Sequence, residues 1–201
     1  MPTIAISNLK GGTTKTTTAI YLATALTELT DDTVTVLDLD PQGSATEWAG
    51  LADDNDAPLP FDVNPINSRA LTRLNNRPGH WNIIDCPPGA SSTIDAALDT
   101  SDMTIIPVSP SGMQADRMWA TIDVAEARNT HARVLVTNVR PQTISARNLI
   151  AALDESDVIR CSPVIPQREA INASWGTVPG DLFGYDDLAR ELIVTLHPTN
   201  A

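Results

Sequence analysis

The chain predicts an open, doubly wound α/β fold, a mostly parallel sheet with helices on both faces. Three observations carry this. Apolar, β-branched runs alternate with helical patterns along the 201 residues. Those runs are continuous rather than alternating, which suits strands covered on both sides. A glycine-rich turn joins the first run directly to the first helical pattern, as parallel β–α units require.

Thr3–Ser7 reads as a strand, Lys15–Leu29 as a helix and Val34–Asp38 as a second strand. Ser44–Ala49 reads as a short helix, and Asp53–Asn67, rich in Asp, Pro and Asn, as an exposed loop. Ser68–Asn75 is a helical pattern before the strand Trp81–Asp85, and Met103–Val108 is a further apolar run. A helix over Gln114–Arg128, a strand at Arg133–Thr137 and a helix over Ser145–Leu153 follow. A short extended stretch at Ser162–Ile165 and helical patterns at Glu169–Trp175 and Tyr185–Leu196 complete the order. With no repeat, linker or low-complexity tract, residues 1–201 are expected to form one domain.

The formal net charge is -12 and the sequence pI about 4.4, which opposes generic attraction to phosphate backbones. Two cysteines, Cys86 and Cys161, lie too far apart for a local zinc motif or a disulfide framework, and a reducing compartment is expected. The first strand follows Met1-Pro2 at once, leaving no room for a signal peptide. No apolar run approaches the ~18–20 residues that span a bilayer. A cytoplasmic location is the expectation. The thirteen basic residues are eleven arginines and two lysines, and nineteen of the twenty-five acids are aspartate. Codon bias, a salt-rich cytoplasm or simple drift each accounts for such a surface. Either way lysine is avoided, yet both lysines, Lys10 and Lys15, fall in one glycine turn.

That turn reads Asn8-Leu9-Lys10-Gly11-Gly12-Thr13-Thr14-Lys15-Thr16-Thr17. Glycine-rich backbone at a helix N-terminus aims several N–H groups at one point, where the helix dipole also favours an anion. Lys15 is placed to reach β- and γ-phosphates, and the Thr16 hydroxyl to ligate Mg²⁺. The common pattern G-x-x-x-x-G-K-[ST] needs glycine at positions 9 and 14, where Leu9 and Thr14 stand. The sequence matches K-G-G-x-x-K-[ST] instead, the deviant Walker A loop, with Lys10 as its extra lysine. Two strands end in carboxylates. Asp38-Leu39-Asp40-Pro41-Gln42-Gly43 follows one, and Ile83-Ile84-Asp85-Cys86-Pro87-Pro88 ends the other. Open α/β sheets build sites beyond the carboxyl ends of their strands, so these acids are expected beside the phosphates. Taken alone, such an aspartate is commonly a cap or turn former.

In that order the three segments resemble the ParA-type partition ATPases of the ParA/MinD group, in their short form without an N-terminal helix-turn-helix domain. Weaker matches at Ser101–Pro110 and Ile165-Pro166-Gln167-Arg168 extend the resemblance to about Leu196. It implies an Mg²⁺-dependent ATPase that dimerises on ATP and drives plasmid or chromosome partitioning with a centromere-binding partner. Lys10 would cross to the partner's nucleotide, while Gly11, Gly12, Thr13, Thr14, Lys15, Thr16 and Thr17 hold the chain's own. Asp40 would orient the attacking water, Asp38 support the metal and lysine network, and Asp85 hold metal-bound water. Asn138 and Pro166 match the family's adenine contacts. Thr14 departs from the family's usual glycine.

The resemblance also implies DNA binding without sequence preference, and nucleoid association, when ATP is bound. The acidic balance opposes this, but Arg128–Leu153 holds Arg128, Arg133, Arg140 and Arg147 with no acid, and Arg160 and Arg168 follow. A dimer doubles such a patch; Arg140, Arg147 and Arg168 are the candidate DNA contacts. Arginines scattered on a solvated surface are the plainer explanation.

Two other functions share these motifs. A MinD-like membrane-cycling ATPase needs a basic amphipathic terminal helix, whereas Asp186–His197 carries more acid than base, so no membrane partner is expected. An ATP-gated dimeric scaffold with negligible hydrolysis has no distinguishing motif. The cysteines read as small buried hydrophobes rather than cluster ligands, and Trp48, Trp81, Trp119 and Trp175 as packing residues. His80, His131 and His197 lack metal-ligand spacing.

Overall fold

The computed structural model describes residues 2–74, 78–89, 92–110, 112–128, 130–140 and 142–196, with side chains omitted for 112–117. Its strands are β1 (Thr3–Ile6), β2 (Thr33–Asp38), β3 (Asp62–Pro65), β4 (His80–Asp85), β5 (Met103–Val108), β6 (His131–Val139) and β7 (Arg160–Pro166). Its helices are α1 (Lys15–Leu29), α2 (Ser44–Asp54), α3 (Ser68–Leu71), α4 (Ser92–Thr100), α5 (Gly112–Glu126), α6 (Ile144–Asp154), α7 (Glu169–Ala173) and α8 (Tyr185–Leu196). The strands form one sheet in the order β3-β2-β4-β1-β5-β6-β7, and every pairing is parallel.

Alternate residues of each strand feed opposite faces, the period-2 rule of a pleated sheet. Ile4 and Ile6 of β1, Ile83 of β4 and Leu135 of β6 point into the layer built by α1, α2 and α8. Ala5 and Ile84 face α3 and α4, while Val134 and Val136 face α5 and α6. Helix α1 carries a buried run from Thr18 to Leu26, because sheet, α2 and α8 enclose it. Thr24 and Thr27 satisfy their own hydroxyls by donating to the carbonyls of Ile20 and Ala23, both at 2.9 Å. Helix α8 buries its apolar face (Tyr185, Leu188, Ala189, Leu192) in this core. Among the described residues no helix is long and apolar enough to cross a bilayer.

The structure corrects the sequence expectation in three places. Asp53–Asn67 is not all loop: α2 runs on to Asp54, and Asp62–Pro65 forms the edge strand β3. Proline is tolerated there because an edge strand has an unpaired side. Helix α3 stops at Leu71, short of the expected Asn75, which lies outside the described residues. Helix α4 has no counterpart in the sequence expectation, its apolar stripe being only Ile94, Ala97 and Leu98. Of the histidines, His80 shares a hydrogen bond with the Thr35 hydroxyl, 3.1 Å, His131 is exposed, and His197 lies outside the described residues.

Candidate nucleotide site

The connection from β1 runs past β4 to β2, whereas that from its neighbour β5 runs the opposite way to β6, so a crevice opens beyond the carboxyl ends of these two strands. Residues 7–14 fill that crevice as the β1–α1 connection. Asn8 anchors it, donating from Nδ2 to the Pro107 carbonyl at 2.8 Å and accepting from Lys10 N–H at 3.0 Å. Leu9 N–H donates to the Thr121 hydroxyl, 3.2 Å, and Gly89 N–H donates to the Leu9 carbonyl, 2.9 Å. The loop is thus tied to α5 and to the turn after β4. Gly12 has φ +71° and open space where a Cβ would stand. Among the described residues, the backbone N–H groups of Gly11, Gly12, Thr13 and Thr14 donate to no protein acceptor. They lie at the positive end of α1, where Gly11 and Gly12 stand at an exposed opening of the surface.

The charges around this opening are incomplete without a ligand. Lys15 is buried, and its Nζ donates to the Lys10 carbonyl at 3.2 Å. Among the described residues it has no ion pair. Burial lowers its pKa, partly countered by the Asp85 charge. The Thr16 hydroxyl donates to Asp85 Oδ2 at 2.6 Å, while Asp85 Oδ1 is buried with no hydrogen-bond partner among the described residues. Burial pushes the Asp85 carboxyl up to about 7; the Thr16 bond opposes that rise and the neighbouring Asp38 charge adds to it. A buried cation, an orphaned carboxylate oxygen and a row of unpaired N–H groups together fit a phosphate chain with a divalent cation at Thr16 and Asp85.

Asp38 lies directly across from Asp85 in the sheet register, but its oxygens are occupied. Oδ2 accepts from both Thr46 N–H and the Thr46 hydroxyl, each 2.8 Å, and Oδ1 accepts from Asp40 N–H at 3.3 Å. Asp38 therefore fastens the first turn of α2 and the turn carrying Asp40. Asp40 itself is half-buried and accepts from Gln42 N–H at 2.9 Å. It lines an open cavity of about 580 Å³ between the β2–α2 and β3–α3 turns.

A second cavity, about 110 Å³, adjoins the loop. Asn138 and Pro166 both line it, together with Thr14 and Thr17 of the loop and side chains the sequence did not single out, including Thr137, Asn172 and Tyr185. Asn138 reaches it from a left-handed backbone, φ 54°, which asparagine tolerates better than most residues. Arg168 also lines this cavity, so it stands at the candidate base pocket. Arg140 donates from Nε to Gln167 Oε1 beside it, and Arg147 is exposed on α6. The acid-free stretch is not an unpaired patch. Arg128 pairs with Asp95 and Asp99 at 2.9 and 2.7 Å, Arg133 with Glu191, and Arg160 with Asp154 at 2.7 Å. The acids for the first two come from α4 and α8, remote in sequence. Cys86 and Cys161 are buried thiols whose pKa burial raises, in line with a packing role.

Fold and loop define a nucleotide-binding α/β domain of the phosphate-loop class. The model of the CobQ/CobB/MinD/ParA nucleotide binding domain matches residues 4–176, and the chain belongs to that family. It is 34% identical over 145 residues to a maintenance of carboxysome distribution protein A of Gloeobacter kilaueensis, covering 70% of this chain and 65% of that protein. The match thus spans just under two thirds of that relative's length. The chain is 30% identical over 183 residues to a protein ParA of Rhizobium radiobacter, covering 86% and 82%. Among solved structures it resembles cobyrinic acid a,c-diamide synthase of Mycobacterium smegmatis with bound ADP and magnesium. The TM-score is 0.77 at 21% identity, covering 98% of this chain and 96% of that one. At that identity the likeness shows the fold alone, and one fold serves several chemistries.

Proposed function

We propose that this chain is a single-domain, Mg²⁺-dependent ATPase that dimerises on ATP and partitions a plasmid or chromosome. In this reading it acts with a centromere-binding partner and binds DNA without sequence preference when ATP is bound. The observation that carries the reading is the pair of lysines on one loop, Lys15 buried against the crevice and Lys10 half-exposed at its rim. Lys15 neutralises charge on the chain's own β- and γ-phosphates, and Lys10 serves a nucleotide held by a second copy. Bound Mg²⁺, held by Thr16 and through water by Asp85, supplies further neutralisation of the triphosphate. Asp38 positions the turn, and Asp40 orients the attacking water. Asn138 and Pro166 border the adenine.

The test separates these roles. Lys10→Ala is expected to keep ATP binding but lose ATP-dependent dimerisation in sedimentation velocity. Asp40→Ala is expected to keep both and lose turnover, on the order of 100-fold or more. Equal, background-level turnover in wild type and Asp40→Ala would leave an ATP-gated scaffold in place of an enzyme.

DNA binding is the part of the reading that Arg140, Arg147 and Arg168 must carry, since Arg128 and Arg133 are already paired. Arg140→Ala with Arg147→Ala is expected to weaken ATP-dependent retention on duplex DNA and to spare ATP binding. Undiminished retention by the double variant would remove these residues from the DNA surface.

A second cargo class is favoured by the relative named for carboxysome distribution, 34% identical to this chain. In that reading the dimer positions a protein body on DNA instead of a replicon. Affinity capture of the cross-linked ATP-bound dimer distinguishes them: a centromere-binding protein supports partition, and a shell-associated protein supports the alternative.

A further inference from the structure

Thr14 stands where the usual phosphate-loop pattern has glycine, and its backbone keeps the conformation that glycine would supply, φ 60° and ψ 22°. A β-branched residue rarely adopts this region, so something must hold it there. Two contacts do. The Thr14 hydroxyl lies 2.6 Å from the Thr13 carbonyl, to which it donates, and 3.0 Å from the Thr137 hydroxyl. Thr137 is fully buried on β6 and also lies 3.4 Å from the Val108 carbonyl of β5. It is a polar side chain that follows an apolar strand segment, Val134-Leu135-Val136. Just after it the pairing of β6 with β7 shifts register, and Asn138 turns left-handed. The Val108 contact is long for a hydroxyl bond, and the Thr14 hydroxyl is the nearer partner of the two. Among the described residues the Thr13 hydroxyl bonds only within the loop, to the Lys10 carbonyl, so this pair links the tip of the loop to β6 as Asn8 links its start to β5.

We propose that Thr137 is a positioning residue for phosphate binding, clamping the phosphate loop in its ligand-ready shape through the Thr14 hydroxyl. This rests on the reading of residues 10–17 as a phosphate loop. The clamp acts before any ligand arrives: it removes loop conformations in which the N–H groups of Gly11–Thr14 diverge, so less ordering is left to oppose binding. Because Thr14 and Thr137 also line the cavity assigned to the base, a plain packing role in that cavity is the competing explanation.

The two explanations separate on a ligand without a base. Binding of Mg²⁺-ATP and of Mg²⁺-tripolyphosphate is measured by calorimetry for wild type, Thr137→Val, Thr14→Ala, Thr14→Ser and the Thr137→Val/Thr14→Ala double variant. Hydrogen exchange of residues 10–16 is followed in each ligand-free protein. The clamp predicts a loss of about three- to tenfold for both ligands in each hydroxyl-deleting single variant, the span of one net hydrogen bond. It predicts no further loss in the double variant, wild-type affinity in Thr14→Ser, and faster exchange confined to the loop. Weakening of ATP with unchanged tripolyphosphate binding overturns the clamp in favour of base-pocket packing. Additive losses in the double variant, or unchanged loop exchange, overturn it as well. Failure of wild type to bind either ligand would instead strike the phosphate-loop reading itself. Thr14→Ala tests the pair from a half-exposed position, so the outcome does not depend on the buried substitution at 137 being tolerated.

Discussion

Lys15→Gln is expected to abolish nucleotide-dependent behaviour while leaving the fold intact. Turnover should fall on the order of 100-fold or more, because the ammonium neutralises charge that grows in phosphoryl transfer. The structure explains why stability should not fall with it. Lys15 is buried with a backbone carbonyl as its partner, and its desolvation disfavours the charged form. For a lysine with a lowered pKa, the charged state below that pKa is a cost to the folded chain, which glutamine removes. Heating the ligand-free proteins should therefore give the Lys15→Gln variant a melting temperature equal to or above wild type. Saturating Mg²⁺-ATP at about 100 times Kd stabilises a one-site protein by roughly 2.7 kcal/mol, some 5–10 °C for a chain of this size. Wild type should show that shift and the variant should not. A shift retained in the variant would remove Lys15 from the phosphate site.

Much of this candidate site was legible before any coordinates, for a physical reason. The loop's chemistry is local: glycine at a left-handed position, lysine and hydroxyl at fixed spacing, and a strand before a helix all lie within one short segment. The acids were legible because parallel strands deliver their carboxyl ends to one edge, and Asp38 and Asp85 do lie in register. What each acid does was not legible. Both strand ends look alike in sequence, but Asp38 spends its oxygens on Thr46 and Asp40, whereas one Asp85 oxygen has no hydrogen-bond partner among the described residues. The pairing within the arginine stretch was hidden in the same way. An acid-free window in sequence says nothing about acids delivered by α4 and α8, and these neutralise Arg128 and Arg133. Thr137 carried no sequence signal at all, since a threonine at the end of a strand is ordinary until its partner is seen.

The fold divides along the same line. Helix α1 and strand β5 keep their expected limits because one is a long continuous pattern and the other an apolar run. Strand β3 was hidden because only Val63 among Asp62-Val63-Asn64-Pro65 is a β-branched apolar residue, and pairing with β2 alone makes it a strand. Its consequence is functional, since β3 supplies Pro65, the edge from which the wall of the cavity beside Asp40 is built.

Asp85→Asn carries the other large expectation, a gain in stability for the ligand-free protein that bound Mg²⁺-ATP should diminish or reverse. The folded carboxyl holds its proton to about pH 7, against 3.8 ordinarily, so between those values the folded chain binds more protons than the unfolded one. Stability of the ligand-free protein must then fall as pH rises through that window, with the whole penalty present above pH 7. A displacement of this size corresponds to something on the order of 4 kcal/mol. Asparagine cannot ionise and still accepts from Thr16, so at pH 8 the variant should melt on the order of 10 °C above wild type. At pH 4 the two should converge. Adding Mg²⁺-ATP should reduce the gap or reverse it, because the unpartnered oxygen that destabilises the ligand-free site is the one proposed to hold the metal's water. A variant less stable than wild type at pH 8, or one gaining as much from Mg²⁺-ATP, would show that Asp85 is a structural cap. The penalty and the proposed function then have one origin: a buried carboxylate with one oxygen unpartnered among the described residues, which a divalent cation would complete.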